Sequence, residues 1–364
     1  MKNRFLVLTL AALPLACGPS SPDPADPSGT PATATAAASA APTSAPTATA
    51  TATATAEAKP PELTAAEKKK LEDARQLAED RAAMEKSLEA EKARLTPELH
   101  AEAKKLAETK WASTGKALDA VLKSKVRKPD HPERDAQRHP KETLEFFGLK
   151  PTMTVLEYGP GEGWYTEVVA PVLASKGKLL ITMTDPNGPA DARGTFYGER
   201  TKRTLDLLPE LYGKVERLVI DPKKLALGLD GKLDMVLAFR TMHGMVRDNL
   251  LTSFLAEVHK ALKTGGVLAV EQHRAKPDAK PEESAKQGYL PEDYLIKEIE
   301  AAGFKLAGKS EVNANPKDTK DYPEGVWALP PTFRNKDKDR EKYAAIGESD
   351  RMTLKFTKVA AAKK

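Results

Sequence analysis

Residues 154–165 constrain the fold of this 364-residue chain more than any other stretch. A short apolar run ends at Glu157 and Tyr158, and Gly159, Gly161 and Gly163 follow before a helical pattern begins. This order predicts a strand, a glycine turn and a helix. Because glycine lacks a Cβ, the backbone of such a turn approaches a ligand closely and directs N–H groups at it. The stretch therefore predicts an α/β fold with a ligand site beyond its first strand.

Apolar runs alternate with helical patterns along the rest of the chain. The predicted strands are residues 154–158, 178–184, 215–220, 233–239, 267–271, 304–309 and 352–357. The predicted helices between and before them are residues 141–149, 163–174, 203–211, 250–262 and 291–302. Such alternation predicts a mostly parallel sheet with helices on both faces. Ligands of these sheets bind outside the carboxyl ends of the strands.

Acidic residues stand at those strand ends. Asp185 follows the second predicted strand and Asp221 follows the third, whereas Glu157 lies near the end of the first. An acid after the second strand is placed to accept the hydroxyls of a nucleotide ribose, as in NAD sites. The alternative is that these residues only form turns, since Asp-Pro and glycine-rich dipeptides are common turn signals. Taken singly, each carboxylate is open to either interpretation.

The pattern acidic-x-Gly-x-Gly-x-Gly resembles motif I of class I methyltransferases that use S-adenosylmethionine (SAM). From about Arg134 onward, the chain resembles a family of predicted extracytoplasmic bacterial methyltransferases. The similarity lies in residues 134–135, 138–140, 160–167, 239–243, 271–274, 301–304, 315–318 and 350–351. The resemblance implies a Rossmann-like class I methyltransferase fold, with a mostly parallel seven-stranded sheet and an antiparallel C-terminal strand.

The same resemblance implies SAM as the cofactor and assigns residues to it. Glu157 would orient its amino-acid end, and Gly159, Gly161 and Gly163 would allow its close approach. The two remaining acids would bind its nucleoside, Asp185 through the ribose hydroxyls and Asp221 through the adenine amine. The early third glycine and the Gly265-Gly266 turn before the fifth strand favour SAM over NAD.

Several histidines and arginines are candidates for the chemistry. His243 follows the fourth strand, and His273 lies two residues after Glu271 on the fifth, so both of these face one side. His243 is the best candidate for a base, although a lone loop histidine is commonly structural. His273 is the second catalytic candidate, and with Glu271 it could line the acceptor pocket or support a metal. The arginines suited to an anionic acceptor are Arg134, Arg138, Arg240 and Arg274. Their alternative role is salt bridging, for example to Asp135 or Glu271. We expect no metal, because no further ligand cluster has the required spacing.

The N-terminus has the features of a secretory signal. Lys2 and Arg4 precede an apolar run that is too short to span a bilayer. The run ends at Leu15-Ala16-Cys17-Gly18, which resembles a bacterial lipobox. That resemblance implies a lipid on Cys17 and an outer-membrane position facing the periplasm, with membrane contact through the lipid anchor only. An ordinary signal peptide with an incidental cysteine is the alternative.

Composition divides the rest of the chain. Residues 1–17 form the predicted lipoprotein signal peptide, and residues 18–61 form an Ala/Thr/Pro-rich tether that is predicted to be disordered. Residues 62–125 are predicted to form a helical stalk, either a weak coiled coil or a solvated helix. Residues 126–364 are predicted to form the methyltransferase-like domain. The net charge of +5 is spread along the sequence, so we expect no nucleic-acid partner.

Three functional hypotheses follow. The first is a SAM-dependent methyltransferase that acts on a small-molecule or envelope acceptor. The second is a non-catalytic envelope module that keeps the fold for binding or scaffolding. The predicted envelope position favours this hypothesis, because SAM is made in the cytosol. The third and weakest is an NAD-linked oxidoreductase.

Overall fold

The computed structural model describes residues 63–360. The predicted signal peptide, Cys17 and the tether at 18–61 lie outside these residues. Residues 63–360 belong to one compact unit. None of its helices within residues 63–360 is long and apolar enough to cross a membrane.

A seven-stranded sheet forms the centre of this unit, with the order β3-β2-β1-β4-β5-β7-β6. Its strands are β1 (Thr154–Tyr158), β2 (Lys178–Met183), β3 (Glu216–Val219), β4 (Leu233–Phe239), β5 (Leu262–His273), β6 (Phe304–Ser310) and β7 (Arg351–Lys358). The first five strands pair in parallel, and β7 runs antiparallel between β5 and β6. The predicted fold class is confirmed: this is the Rossmann-like class I methyltransferase arrangement.

Helices cover both faces of the sheet. They are α1 (Ala65–Arg94), α2 (Pro97–Glu108), α3 (Thr114–Leu122), α4 (Asp135–Arg138), α5 (Pro140–Phe147), α6 (Trp164–Leu173), α7 (Arg193–Asp206), α8 (Pro209–Tyr212), α9 (Met242–Arg247), α10 (Leu251–Ala261), α11 (Pro281–Ser284), α12 (Glu292–Ala301) and α13 (Arg340–Ile346). Val155 of β1 belongs to one buried cluster and its neighbour Leu156 to another. This follows because successive strand side chains point to opposite faces.

The predicted helical stalk at 62–125 is wrong as a separate element. Ala103 and Leu106 of α2 and Leu118 of α3 lie in the same buried cluster as Val155 of β1. The domain boundary predicted between residues 125 and 126 therefore falls inside the compact unit. These helices close one face of the sheet, because their apolar stripes bury surface against it.

Helix α1 lies against α7. Leu77, Met84 and Leu88 of α1 pack with Phe196 of α7. Ion pairs flank this contact, between Arg81 and Glu199, Arg193 and Asp80, and Arg203 and Glu85. Leu71 of the same helix lies outside this buried stripe, because its side chain is 59% exposed.

The segment after β2 also differs from its predicted form. A helix was expected at 203–211, whereas α7 begins at Arg193 and α8 follows it. Gly198 lies inside α7, where glycine lowers helix propensity and obscures the helical pattern. A Cβ at Gly198 would lie 2.3 Å from the carbonyl oxygen of Thr184. Glycine is therefore needed there for α7 to pack directly on the chain leaving β2.

Candidate functional site

The glycine turn follows β1 and has an open backbone. Gly159, Gly161 and Gly163 have φ values of 65°, 61° and 82°, in the left-handed region that favours glycine. The Gly159 N–H donates to Thr182 Oγ1 at 2.9 Å, which fixes the start of the turn to β2. A Cβ placed on Gly161 would have no atom within 4 Å. The middle of the turn thus faces free space.

A cavity of about 630 Å³ lies beside this turn. Gly159, Pro160 and Gly161 form one side of it. The irregular segment between β6 and β7 forms another side through Val326, Trp327, Pro330, Pro331 and Thr332. Further lining residues come from the ends of β4 and β5 and from the segments before α5 and β7: Arg134, Arg138, Phe239, Arg240, His273, Glu348 and Ser349. The cavity therefore lies at the carboxyl ends of the parallel strands, as the fold predicts.

The carboxylate of Glu348 pairs with the predicted arginines Arg134 and Arg138 at the floor of the cavity. The Arg138 Nε lies 2.9 Å from each carboxylate oxygen of Glu348, and the Arg134 Nε lies 3.2 Å from one of them. Arg351 Nη1 donates to the same carboxylate at 2.6 Å. Although burial favours the neutral acid, the charges of Arg351 and Arg138 hold the pKa of Glu348 at about 2. Glu348 is consequently a carboxylate shared by three arginines.

Glu271 forms a second buried centre beneath the cavity. Its side chain is fully buried and accepts hydrogen bonds from Arg240 Nη1 at 2.9 Å and from the Tyr165 hydroxyl at 3.0 Å. Arg351 Nε lies 2.9 Å from the same carboxylate. Burial favours the neutral acid, but Arg240 and Arg351 outweigh it and lower the pKa of Glu271. Arg240 therefore pairs with Glu271, which was the alternative to its predicted role as a substrate ligand, and it also lines the cavity.

Arg240 has an unusual backbone. Its φ is 57°, which is uncommon for a residue other than glycine. Its backbone N–H donates to the carbonyl of Glu271 at 2.6 Å, which holds the end of β4 against β5. Strained backbone of this kind persists where surrounding contacts fix it and is concentrated at functional sites. Here it directs the guanidinium towards the cavity.

The two candidate histidines lie near each other, with ring centroids 5.8 Å apart. His273 lines the cavity, and its Nδ1 lies 2.5 Å from Ser349 Oγ. His243 Nδ1 lies 3.3 Å from Gln272 Nε2. Burial lowers the pKa of His243 to about 4, and burial together with neighbouring charges lowers the pKa of His273 well below its usual value. Both imidazoles are therefore neutral near pH 7.

The three predicted cofactor carboxylates differ in their surroundings. Glu157 is 5% exposed and accepts a hydrogen bond from the Thr166 hydroxyl at 2.6 Å, so its carboxyl faces α6. Asp185 and Asp221 are exposed at the ends of β2 and β3. One oxygen of each accepts a backbone hydrogen bond, from Asn187 and Lys223 respectively. The glycine turn lines the cavity with Arg134, Arg138 and Arg240, whereas these acids lie outside its lining.

Arg274 lies apart from the other predicted arginines. Its guanidinium contacts Glu292 at 3.2 Å, Glu311 at 2.5 Å and Asp350 at 3.3 Å, and it does not line the cavity. Its prediction as a substrate ligand is corrected accordingly, because three carboxylates at the ends of other elements already hold it.

Several residues of the site were missed by sequence reasoning. Glu348, Ser349 and Arg351 precede or begin β7, and Trp327 lies in a 3-10 turn. The Asp350-Arg351 pair was part of the resemblance, which was the available signal for this region. Trp327 had none, because irregular segments carry no hydrophobic period.

A metal centre finds no support in the part of the chain that the structure describes. No three His, Cys, Asp or Glu residues between 63 and 360 are grouped as metal ligands.

The strand order and the glycine turn after β1 define the class of fold as that of class I methyltransferases. No protein-family profile matches the chain, and no curated protein does. Among solved structures, it is similar to a SAM dependent methyltransferase from Aquifex aeolicus at 23% identity and a TM-score of 0.39, over 55% of this chain and 93% of that one.

Two further solved structures show the same kind of likeness. A SAM-dependent methyltransferase from Methanosarcina mazei is 13% identical with a TM-score of 0.39, over 60% of this chain and 97% of that one. The [4+2]-cyclase SpnF is 18% identical with a TM-score of 0.42, over 62% of this chain and 81% of that one. At these identities the likeness concerns the fold alone, and the function has to be argued from the site.

Proposed function

We propose that this protein is a SAM-dependent methyltransferase whose acceptor binds in the cavity beside the glycine turn. The observation that carries the proposal is the open backbone at Gly161, which forms one wall of a cavity with Gly159 and Pro160 at the carboxyl ends of β1, β4 and β5. Sites of this position and size are the usual ligand sites of such sheets.

The residues around the turn fit the cofactor. Gly161 leaves room for a ligand against the backbone. Asp185 and Asp221 are exposed, and among the described residues the second oxygen of each carboxylate accepts no hydrogen bond. They remain our candidates for the ribose and adenine contacts. Bound there, SAM would supply an electrophilic methyl group on a charged sulfur.

The charge of Glu162 is already balanced. This residue follows Gly161 and adds a negative charge to the turn. Its carboxylate accepts a hydrogen bond from Arg200 Nη1 of α7 at 3.1 Å. Since Arg200 offsets the charge, Glu162 does not oppose the binding of a carboxylate nearby.

The chain's own contribution to methyl transfer would be positioning and proton removal. Holding two reactants in line supplies several kcal/mol of barrier reduction, on the order of 7–11 in well-oriented systems. An acceptor hydroxyl or amine also has to lose a proton. His273 is neutral, lines the cavity and is oriented by Ser349, so we propose it as the base. His243 is the second candidate, one ring behind it.

Titration calorimetry of SAM and S-adenosylhomocysteine into the protein tests the proposal. We expect one-site binding and a raised melting temperature, because a ligand that binds only the folded state stabilises it. Gly161→Ala should weaken binding by about tenfold or more, since a Cβ would enter the ligand's space. Gly228→Ala is the matched control, because Gly228 also has a positive φ of 63° and would likewise have no atom within 4 Å of an added Cβ.

A binding module without catalysis is the second candidate function. Two observations favour it: Glu157 is closed off by Thr166, and Asp185 and Asp221 lie outside the cavity lining. An envelope position would favour it too, because SAM is made in the cytosol. Absence of heat and of thermal stabilisation with both ligands would decide for this candidate. The same titration with NAD tests the oxidoreductase hypothesis.

We further propose that the domain works in the cell envelope, held by a lipid on Cys17. This proposal is supported by the sequence of the first 18 residues, which lie outside the described structure.

A further inference from the structure

We propose that the acceptor is an organic anion, with a carboxylate or phosphate against Arg134, Arg138 and Arg240 and an apolar body against Trp327. That this anion accepts a methyl group rests on the proposed function. The anion site itself rests on the charges, donors and walls of the cavity.

Positive charge exceeds negative charge at the cavity floor. Two carboxylates, Glu271 and Glu348, are shared among four guanidinium groups, which belong to Arg134, Arg138, Arg240 and Arg351. The remaining acids of the cavity lie at its rim, where Asp130 is exposed and Glu162 is paired with Arg200. The floor thus has an excess of about two positive charges in a place where water screens them poorly.

Arg138 carries the strongest sign of this excess. It is 3% exposed, and burial together with the charge of Arg240 lowers its pKa to about 9. An anion between these two guanidinium groups would offset their repulsion. Within residues 63–360, Glu348 is the one carboxylate that pairs with Arg138, and Arg134 and Arg351 share it, so the arrangement favours an anionic ligand.

Donors remain available on the same groups. Arg134 and Arg138 contact Glu348 through Nε, and Arg240 contacts Glu271 through Nη1. Among the described residues, the terminal nitrogens of Arg134 and Arg138 make no hydrogen bond. Guanidinium groups bind carboxylate and phosphate oxygens in pairs, which makes these free donors suitable for either head group.

Another part of the lining is apolar. Val326, Trp327, Pro330 and Pro331 line the cavity from the segment between β6 and β7, and Phe239 lines it from the end of β4. Trp327 is half-buried and so retains ring surface for a ligand. A free inorganic anion would leave this apolar part without contact. A head group attached to an aromatic or aliphatic body would use both parts of the lining.

The main competitor is the carboxylate of the cofactor itself. SAM and S-adenosylhomocysteine both carry a carboxylate, and the arginines line the same cavity as the glycine turn. The two assignments make different predictions. If the arginines form an acceptor site, the anion and the cofactor bind at the same time. If the arginines hold the cofactor carboxylate, the anion and the cofactor compete for one site.

Tryptophan fluorescence of the whole protein provides the measurement. Two of its three tryptophans, Trp164 and Trp327, line the cavity. The probes are benzoate, phenyl phosphate, benzyl alcohol, benzylamine and inorganic phosphate. We expect at least one aromatic anion to bind about tenfold or more tighter than benzyl alcohol, and benzylamine to bind weakest. Inorganic phosphate should bind more weakly than phenyl phosphate, and the preferred anion identifies the head group.

Two variants locate the binding. Arg134→Gln should weaken anion binding about fivefold or more, because the residue lines the cavity and keeps free donors. Arg217→Gln is the matched control, since Arg217 pairs with Asp206 and lies outside the cavity. Anion binding should be unchanged by this control. Equal loss in both variants would overturn the proposed location.

Three other results would overturn the inference: no binding of either aromatic anion, equal binding of benzoate, phenyl phosphate and benzyl alcohol, or displacement of the anion by S-adenosylhomocysteine. The last result would assign the arginines to the cofactor. Anion binding that persists with saturating S-adenosylhomocysteine supports an acceptor site. Anion binding in a protein that binds neither SAM nor its product supports the anion site and defeats the proposed methyltransferase function.

Discussion

The buried carboxyl of Glu157 makes the stability of this protein depend on pH. Burial raises its pKa to about 7, despite the hydrogen bond from Thr166. An unfolded glutamate titrates near pH 4.3. Because the folded pKa lies above the unfolded one, the folded state is favoured while the carboxyl is protonated. This stabilisation is fully present below about pH 4.3 and is lost as pH rises through about 7.

Glu157→Gln should therefore become progressively more stable than the wild type as pH rises. We expect the difference in free energy of unfolding to grow by about 2–3 kcal/mol between pH 5 and pH 8.5, at about 1.4 kcal/mol per pKa unit. Urea unfolding at both pH values measures it. Two proteins whose stabilities change in parallel would show that Glu157 is ionised without penalty in the folded state.

Glu271 gives a second prediction for a single residue. Glu271→Gln removes the carboxylate between Arg240 and Arg351, leaving their charges buried without that partner. Breaking a buried ion pair on one side costs about 3–5 kcal/mol. Urea unfolding near pH 7 should show a loss of this order. Glu72→Gln is the control, because the Glu72–Arg75 pair is exposed on α1 and its loss should leave stability unchanged.

Part of the candidate site could be predicted from the sequence. Physical reasons explain which of its residues could be predicted and which could not. Gly159 and Gly161 of the turn line the cavity, as do Arg134, Arg138, Arg240 and His273. The signals for the glycines, Arg240 and His273 were a glycine pattern and polar residues at strand ends, both of which are local, and Arg134 and Arg138 lie in stretches that carry the resemblance. Glu348 and Trp327 come from other segments that only the tertiary fold brings to the turn, so no local pattern could place them there.

At the scale of elements, the docking of α1 on α7 is open to a direct test. Leu88 is 8% exposed in the contact with Phe196, whereas Leu71 on the same helix is 59% exposed. Leu88→Lys should lower the free energy of unfolding by about 2–4 kcal/mol, because it removes a buried apolar side chain and introduces a charge. Hydrogen exchange of α1 amides should also become faster. Leu71→Lys should change neither quantity, and equal effects of both substitutions would point to a free stalk.

The bounds of the strands were predicted closely. For the helices before the sheet, the packing against the rest of the domain was not predicted. Strands β1 and β4 match their predicted ranges, because a buried parallel strand is a continuous apolar run with clear ends. Helix α1 was predicted as a helix, since its composition favours one. Its packing partner could not be predicted, because three apolar residues, Leu77, Met84 and Leu88, face a single phenylalanine far along the chain.

At the scale of the whole molecule, the predicted lipid anchor bears on the choice between a methyltransferase and a binding module, because SAM is made in the cytosol. Cys17 is the one cysteine of the sequence, so a thiol-directed lipid has a single possible site. We expect the protein expressed in a bacterial host to incorporate an alkyne-labelled fatty acid and to fractionate with membranes. Cys17→Ser should lose the label, because no other thiol remains.

A second variant shows whether the position or only the thiol matters. Adding Ser28→Cys to Cys17→Ser restores one cysteine outside the lipobox-like stretch, and this variant should stay unlabelled. A wild-type protein without label, cut elsewhere by an ordinary signal peptidase, would contradict the anchor. Such a protein would still be exported away from the cytosol, where SAM is made. Labelling therefore decides how the domain is held, whereas only the titration with SAM decides whether the glycine turn binds a methyl donor.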